Sequence, residues 1–154
     1  MHARFLQQAV ELACENVANG GGPFGALIVK DARVIASSGN RVIPNLDPTA
    51  HAEIMAIRSA CQHLANFQLT DCILYTSCEP CPMCLGAIYW ARIKEVYFAC
   101  NRFDAAEAGF DDSFIYDEIP KQPNDRQIVM RCLELADAGS PFEKWNRLSD
   151  KTRY

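Results

Sequence analysis

A histidine, a carboxylate and two cysteines stand at spacings that suit a metal centre with one open position. His51 and Glu53 form a His-x-Glu pair, and Cys81 and Cys84 form a Cys-x-x-Cys pair further along the chain. Imidazole and thiolate are ligands that Zn²⁺ prefers, and three protein ligands leave its fourth position open to water. A free carboxylate beside such a water can take its proton. The pattern therefore predicts zinc-assisted hydrolysis, with Glu53 as the proton carrier.

A third cysteine keeps a second interpretation open. Cys78, Cys81 and Cys84 are evenly spaced, and with His51 they could close a structural Cys₃His zinc site that has no open position. The carboxylate of Glu53 has no use in such a site, which favours the catalytic interpretation.

The predicted ligands stand at the starts of two helices. Cys81 and Cys84 flank the first turn of one helix, where Pro82 is tolerated because its missing N–H would be unpaired anyway. The exposed N–H groups of that turn favour ionised thiolates. His51 begins another helix, for which Asp47 or Thr49 is the expected cap.

The surrounding pattern alternates helices and strands. Helical and strand periodicities follow one another in the order α-β-β-α-β-α-β, over 5–17, 26–29, 33–36, 51–64, 72–76, 82–90 and 96–99. Helices that separate the later strands predict an α/β fold, a three-layer α/β/α domain with a central mixed sheet. Beyond residue 120 we expect a strand over 127–133 and a short helix over 141–148.

Bulk composition describes one acidic globular domain. The chain has 154 residues, with 15 basic and 19 acidic side chains and a formal net charge of −4. A nucleic-acid binder usually shows a basic patch, and none is evident. There is no signal-peptide pattern and no apolar run of membrane-spanning length. Eight cysteines without an export signal indicate a reducing, cytoplasmic setting. Five of them stand in apolar stretches and are expected to be small core residues: Cys14, Cys61, Cys72, Cys100 and Cys132.

At this point the chain resembles a known family. It is similar to the zinc-dependent nucleobase and nucleoside deaminases of the cytidine deaminase-like fold, which share the H-x-E and P-C-x-x-C motifs. Within them it resembles the bacterial guanine deaminases. The resemblance covers most of residues 5–120 and returns at the C-terminal Tyr154, and it is carried by four segments, 22–26, 47–53, 76–92 and 104–116. The Ala-Gly-Phe-Asp-Asp sequence at 108–112 narrows the resemblance to guanine as substrate.

The resemblance implies a reaction and a set of roles. Guanine would be hydrolysed to xanthine and ammonia by zinc-activated hydroxide, with one zinc per subunit held by His51, Cys81 and Cys84. Glu53 would be the proton shuttle, and Asp112 would accept from the guanine edge and share in proton transfer. The remaining expected substrate contacts are Asn40, Phe24, Trp90, Ala52, Glu79, Glu143 and, from a partner subunit, Tyr154.

The resemblance also implies an assembly. The chain would be a single deaminase domain that forms a homodimer, with the C-terminal segment 121–154 exchanged between subunits and Tyr154 completing the partner's pocket. A small purine would be the substrate, with no nucleic-acid or membrane partner. The resemblance implies a role in purine metabolism, in which the reaction would be a step of guanine catabolism. A pocket that recognises an amidine-like edge could also accept amino-triazines.

Other interpretations remain open at this stage. A tRNA adenosine deaminase or a cytosine or cytidine deaminase would share the zinc motif, and a zinc-stabilised binding module would have no activity. Individual residues have structural alternatives: core packing for Phe24 and Trp90, a helix N-cap for Asp112, turn formation for Asn40, surface acids for Glu79 and Glu143, and an inert chain end for Tyr154.

Overall fold

The computed structural model describes all residues from 1 to 154, in two compact units, Met1–Asp112 and Ser113–Tyr154. The larger unit contains five helices and four strands in the order predicted, apart from two additional short helices. Its elements are α1 (His2–Ala18), β1 (Gly25–Lys30), β2 (Arg33–Gly39), α2 (Val42–Asn45), α3 (Ala52–Leu64), β3 (Ile73–Cys78), α4 (Pro82–Trp90), β4 (Glu95–Cys100) and α5 (Arg102–Glu107).

The four strands form one mixed sheet in the order β2-β1-β3-β4. β1 pairs antiparallel with both β2 and β3, whereas β3 pairs parallel with β4 across the α4 crossover. The parallel pair brings the C-terminal ends of β3 and β4 together, with Cys78 opposite Cys100. The segment that leads to Cys81 and Cys84 therefore begins at the edge of the sheet where the C-terminal ends of β3 and β4 lie side by side.

Alternating apolar side chains give the sheet two buried faces, as a three-layer α/β/α domain requires. Ile28 and Leu74 pack with buried residues of α3 and α4 on one face, whereas Leu27 and Tyr75 pack with Phe5 of α1 on the other. The small residues of α3 let its backbone lie close to the sheet. They are Ala52, Ala56 and Ala60, all fully buried. The predicted fold class is confirmed.

The smaller unit contains α6 (Ser113–Glu118), a 3₁₀ turn at Pro123–Asp125 and α7 (Ser140–Arg147). The helix expected near 141–148 is therefore confirmed. The strand expected over 127–133 is not formed, so that prediction was wrong. The apolar side chains of this segment are exposed: Ile128, Val129 and Leu133. An isolated extended segment is not stable without a neighbouring strand to pair its backbone, and this unit holds none.

Two local predictions were wrong. His51, not Asp47 or Thr49, is the N-cap residue of α3, because Asp47 instead accepts hydrogen bonds from the backbone and hydroxyl of Thr49 in the preceding turn. Among the five cysteines expected in the core, Cys72 is buried and Cys61 half-buried. The other three are exposed, and Cys132 among them lies in no helix or strand: Cys14, Cys100 and Cys132. None of the helices combines the length and apolarity needed to cross a membrane.

Candidate metal centre and active site

The three predicted ligands converge because two helices on the same face of the sheet begin side by side. His51 is the N-cap of α3 and Cys81 the N-cap of α4, both in extended conformation, and Cys84 lies in the first turn of α4. Pro82 occupies the first helical position, as predicted. Helix N-termini carry partial positive charge, which stabilises the thiolates that a metal requires.

The ligand atoms have the separation that zinc needs. The donor atoms of His51, Cys81 and Cys84 all lie within 4.8 Å of one another. Nδ1 of His51 lies 3.5 Å from each of the two sulfurs. Bond lengths of about 2.3 Å for Zn–S and about 2.0 Å for Zn–N at tetrahedral angles place sulfur and nitrogen about 3.5 Å apart. The residues present therefore fit a tetrahedral zinc with one position left for water.

The hydrogen bond between Cys81 and Cys84 favours a thiolate at Cys81 and raises the pKa of Cys84. Hydrogen bonds from Cys84 and His51 lower the pKa of the Cys81 thiol to about 4, so Cys81 is a thiolate at neutral pH. The same interaction with Cys81 raises the pKa of His51 above its usual value. A metal cation on the three ligands displaces such protons, because only thiolate and neutral imidazole bind it.

Cys78 does not belong to the ligand group. Its sulfur donates instead to the carbonyl oxygen of Asn101, at 3.5 Å. Burial raises the pKa of Cys78 to about 11, so it remains a thiol at neutral pH. The Cys₃His alternative therefore lacks its third sulfur, and the site has only three protein ligands.

Glu53 lies beside the ligands rather than among them. Its Oε2 is 3.5 Å from the sulfur of Cys84, and its Oε1 accepts a hydrogen bond of 3.2 Å from the hydroxyl of Thr76. Glu53 is only 6% exposed. Burial raises the pKa of its carboxyl, because the charged form loses hydration. A buried carboxyl with a raised pKa next to an open metal position is suited to carry protons.

Asn40 and Phe24 are held together at the edge of this region. Asn40 is buried at the end of β2, and its backbone N–H donates to the carbonyl of Phe24 at 3.0 Å. Its Oδ1 accepts from the N–H of Val42 at 3.1 Å, so the turn expected at Asn40 is also formed. The ring of Phe24 packs edge-to-face on Phe110, with centroids 5.0 Å apart.

Asp112 and Glu79 are two further residues with expected substrate contacts. Partial burial, followed by the charge of Cys81, raises the pKa of Asp112. Asp112 directly precedes α6, where the N-cap alternative would also place it. Glu79 accepts a hydrogen bond of 3.0 Å from the backbone N–H of Arg102, so one of its oxygens is committed to the start of α5. Ala52 is fully buried in the first turn of α3.

The remaining predicted contacts are not brought to the ligands within the larger unit. Trp90 ends α4, about 9 Å along the helix from Cys84 by helical rise, and Arg92 packs over its ring. Glu143 and Tyr154 belong to the smaller unit, where Glu143 pairs with Arg147 and Tyr154 packs against Trp145. Their roles toward a substrate remain predictions.

Two buried polar residues escaped the sequence-based prediction. Thr76 reaches Glu53, and Asn16 of α1 reaches the carbonyl of Asn40. A signal for Asn16 was present, since it continues the apolar stripe of Ala9 and Ala13 as a polar residue on a buried helix face. Thr76 carried no such signal, because threonine is ordinary in a strand.

An α/β/α domain with a His-Cys-Cys metal site and a buried adjacent glutamate defines a zinc-dependent deaminase. Residues 1–100 match the zinc-binding region of the cytidine and deoxycytidylate deaminases. The chain belongs to this family.

Individual relatives extend the match to the whole chain. Guanine deaminase of Bacillus subtilis (strain 168) is 58% identical over 99% of this chain and 99% of its own length, and its X-ray structure superposes with a TM-score of 0.98 over 100% of this chain and 99% of that one. Guanine deaminase from Nitrosomonas europaea is 34% identical, with a TM-score of 0.66 over 70% of this chain and 63% of that one. The tRNA-specific adenosine deaminase of Haemophilus influenzae is 41% identical over 71% of this chain and 66% of its own length.

Proposed function

We propose that this chain is a guanine deaminase, a hydrolase that converts guanine to xanthine and ammonia. The observation that carries this proposal is the full-length match to the guanine deaminase of Bacillus subtilis, which includes the C-terminal residues as well as the zinc motif. The match to the adenosine deaminase of Haemophilus influenzae, in contrast, covers 71% of the chain.

The zinc held by His51, Cys81 and Cys84 would supply Lewis acidity that lowers the pKa of a water in its open position. Glu53 takes the proton of that water and delivers it to ring nitrogen N3, beside the C2 atom that is attacked. Glu53 then takes the proton of the hydroxyl added at C2 and passes it to the 2-amino group, which leaves as ammonia as the C2–N bond breaks and the C2=O bond of xanthine forms. The raised pKa of Glu53 suits both steps, because the group must release protons as readily as it takes them.

Thr76 has a positioning role in this mechanism. Its hydroxyl donates to Oε1 of Glu53, while Oε2 lies 3.5 Å from the sulfur of Cys84. Fixing one oxygen leaves the other directed at the position of the water. A carboxylate that does not need to reorient loses less entropy in the transition state.

Asn40 and Asp112 would recognise the purine by complementary polarity. Since Oδ1 of Asn40 accepts from Val42, the Nδ2 group is the part of the amide that offers hydrogen bonds to a substrate. Guanine presents acceptors at N7 and O6. The carboxylate of Asp112 accepts from the donors of the opposite edge, N1–H and the 2-amino group. Phe24 contributes an aromatic wall backed by Phe110.

The proposal includes a homodimer with exchanged C-terminal segments. β4 lies at the open edge of the sheet, and Phe98 on it is 45% exposed. The segment 127–133 carries exposed apolar side chains of strand type without a ladder partner. The unpaired backbone N–H and C=O groups of the edge strand can hydrogen-bond with those of segment 127–133 from a second copy when two copies exchange this segment. Tyr154, at the end of the exchanged segment, would then complete the partner's pocket.

A cytoplasmic location completes the proposal. None of the eight cysteines forms a disulfide. Free thiols persist in reducing compartments, whereas oxidising ones favour disulfides.

An ammonia-release panel tests the substrate. The zinc-loaded protein is offered guanine, adenine, cytosine, their nucleosides and amino-triazines, together with a tRNA stem-loop in which inosine formation is measured. We expect guanine to give the highest kcat/KM, with xanthine identified by mass spectrometry. Preferred turnover of the stem-loop would instead establish the tRNA adenosine activity, which the similarity to the Haemophilus influenzae enzyme favours as second candidate.

A further inference from the structure

Asn16 is a polar residue where the packing calls for an apolar one. It lies on the buried face of α1 after Phe5, Ala9 and Ala13, and it is 7% exposed. Burying a carboxamide costs free energy unless its groups are hydrogen-bonded. Both bonds of its Nδ2 group go to a single region of the molecule, which suggests a role beyond packing.

The Nδ2 group joins two loop segments. It donates to the carbonyl oxygen of Gly22 at 2.7 Å and to the carbonyl oxygen of Asn40 at 2.9 Å. The backbone carbonyl of Asn16 also accepts from the N–H of Gly21 at 2.8 Å. One residue of α1 therefore holds both the glycine loop before Phe24 and the end of β2.

The fit around this carboxamide excludes side chains on both segments. A Cβ on Gly21 would lie 2.3 Å from Nδ2 of Asn16, and a Cβ on Gly39 would lie 2.2 Å from its Oδ1. Contacts below 3.0 Å between such atoms force a shift of one partner. Bare backbone at both positions is thus what allows the Asn16 amide to reach its acceptors.

As a consequence, three hydrogen-bonding groups of Asn40 are held in place. Its N–H is held by Phe24, its carbonyl by Asn16 and its Oδ1 by Val42. Fixing a binding residue before the ligand arrives lowers the entropy lost on binding. Nδ2 of Asn40 is then presented in one direction, which is the condition for selective recognition of a planar ring.

We infer that Asn16 is a positioning residue for purine binding, acting through Asn40 without touching the substrate. This inference rests on the proposed function, in which Asn40 binds guanine. It predicts that loss of the Asn16 amide weakens substrate binding and leaves the proton chemistry at Glu53 nearly unchanged, because no contact joins Asn16 to the ligands.

A double-mutant cycle tests the inference. Asn16→Ala, Asn40→Ala and the combined variant are compared for KM, kcat and zinc content. We expect Asn16→Ala to raise KM for guanine about tenfold, the effect of losing one to two buried hydrogen bonds, with kcat within about threefold and one zinc retained. In the Asn40→Ala background the further change in kcat/KM should be below about twofold, because coupled residues are not additive. Asn19→Ala, at the exposed end of α1, is the control and should match the parent protein.

The outcomes distinguish failure of the inference about Asn16 from failure of the proposed function. An Asn16→Ala effect that is equally large with and without Asn40, or a lower melting temperature with unchanged KM, would overturn the inference. If Asn40→Ala leaves KM unchanged, or the parent protein does not deaminate guanine, the proposed function fails instead. Should Asn16→Ala not fold, Gly21→Ala breaks the same contact, since its Cβ would lie 2.3 Å from Nδ2 of Asn16 and 2.9 Å from the carbonyl oxygen of Asn40. A raised KM that is absent when Asn40 is already alanine supports the inference, and an unchanged KM refutes it.

Discussion

The hydroxyl of Thr76 donates a hydrogen bond of 3.2 Å to Oε1 of Glu53, and both residues are buried. The bond connects the central strand of the sheet to the first turn of α3. Through it the carboxyl group of Glu53 is oriented by the sheet rather than by its own helix alone.

Removing this bond should slow the chemical step. In Thr76→Val the shape is kept and the donor is lost, so we expect kcat to fall about tenfold, the value of roughly one buried hydrogen bond to a charged group. Zinc content should stay at one per chain. Thr70→Val, at an exposed position, is the control. An unchanged kcat would show that Glu53 is oriented without Thr76.

Substitution of Glu53, the proposed proton carrier, should strongly reduce turnover while the metal stays bound. Glu53→Gln keeps the size of the side chain and removes its basicity. A decrease in kcat of about 10²- to 10⁴-fold is typical for loss of a general acid-base group. Zinc quantified by atomic emission should be unchanged, since Glu53 lies outside the ligand group. Loss of zinc in this variant would assign Glu53 to the metal instead.

Acidification should reduce kcat/KM at a higher pH than an ordinary glutamate would predict. Burial raises the pKa of Glu53, so the carboxyl becomes protonated, and inactive as a base, at a pH above its usual value of 4.5. Activity is therefore present above the raised pKa and is lost as the pH falls through it. Zinc content is measured at each pH, because ligand protonation also releases metal. An acid limb that coincides with zinc loss would contradict the assignment to Glu53.

Two cysteine substitutions should separate a ligand from its neighbour. Cys81→Ser removes a ligand thiolate, and we expect loss of zinc together with activity. Cys78→Ser replaces the thiol that donates to the carbonyl of Asn101 with a hydroxyl that can donate to it as well, so zinc and activity should be retained. A chelator should inactivate the parent protein, and added zinc should restore it. Zinc loss and unfolding in Cys78→Ser would favour the structural Cys₃His interpretation.

Disruption of the segment 127–133 should dissociate the proposed dimer. Proline cannot donate to a strand ladder, and neighbouring residues of a strand direct their N–H groups to opposite sides. We therefore expect the double variant Ile128→Pro/Val129→Pro to be monomeric by light scattering and to have a raised KM for guanine. Ile128→Thr/Val129→Thr, which keeps both N–H groups, should remain dimeric. A parent protein that is itself monomeric would refute the exchange.

Local patterns were sufficient to predict the elements and the ligands. The apolar periodicity of α1, the short apolar strands and Pro82 after Cys81 all act over a few residues, so they can be recognised without knowing the fold. The ligands His51, Cys81 and Cys84 followed from their types and spacing, because zinc accepts few kinds of donor. The expected strand at 127–133 depends on a partner ladder that the unit does not contain, which local pattern does not reveal.

The sequence by itself determined the metal, the three-layer α/β/α class and the presence of a glutamate, Glu53, beside the ligand motif. Only the tertiary structure decided that Cys78 turns away to Asn101, that Thr76 orients Glu53 and that Asn16 holds Asn40. The physical reason is that these contacts join residues distant in the chain through single hydrogen bonds. Such bonds depend on distances within a few tenths of an ångström, and those distances exist only once the helices have packed on the sheet.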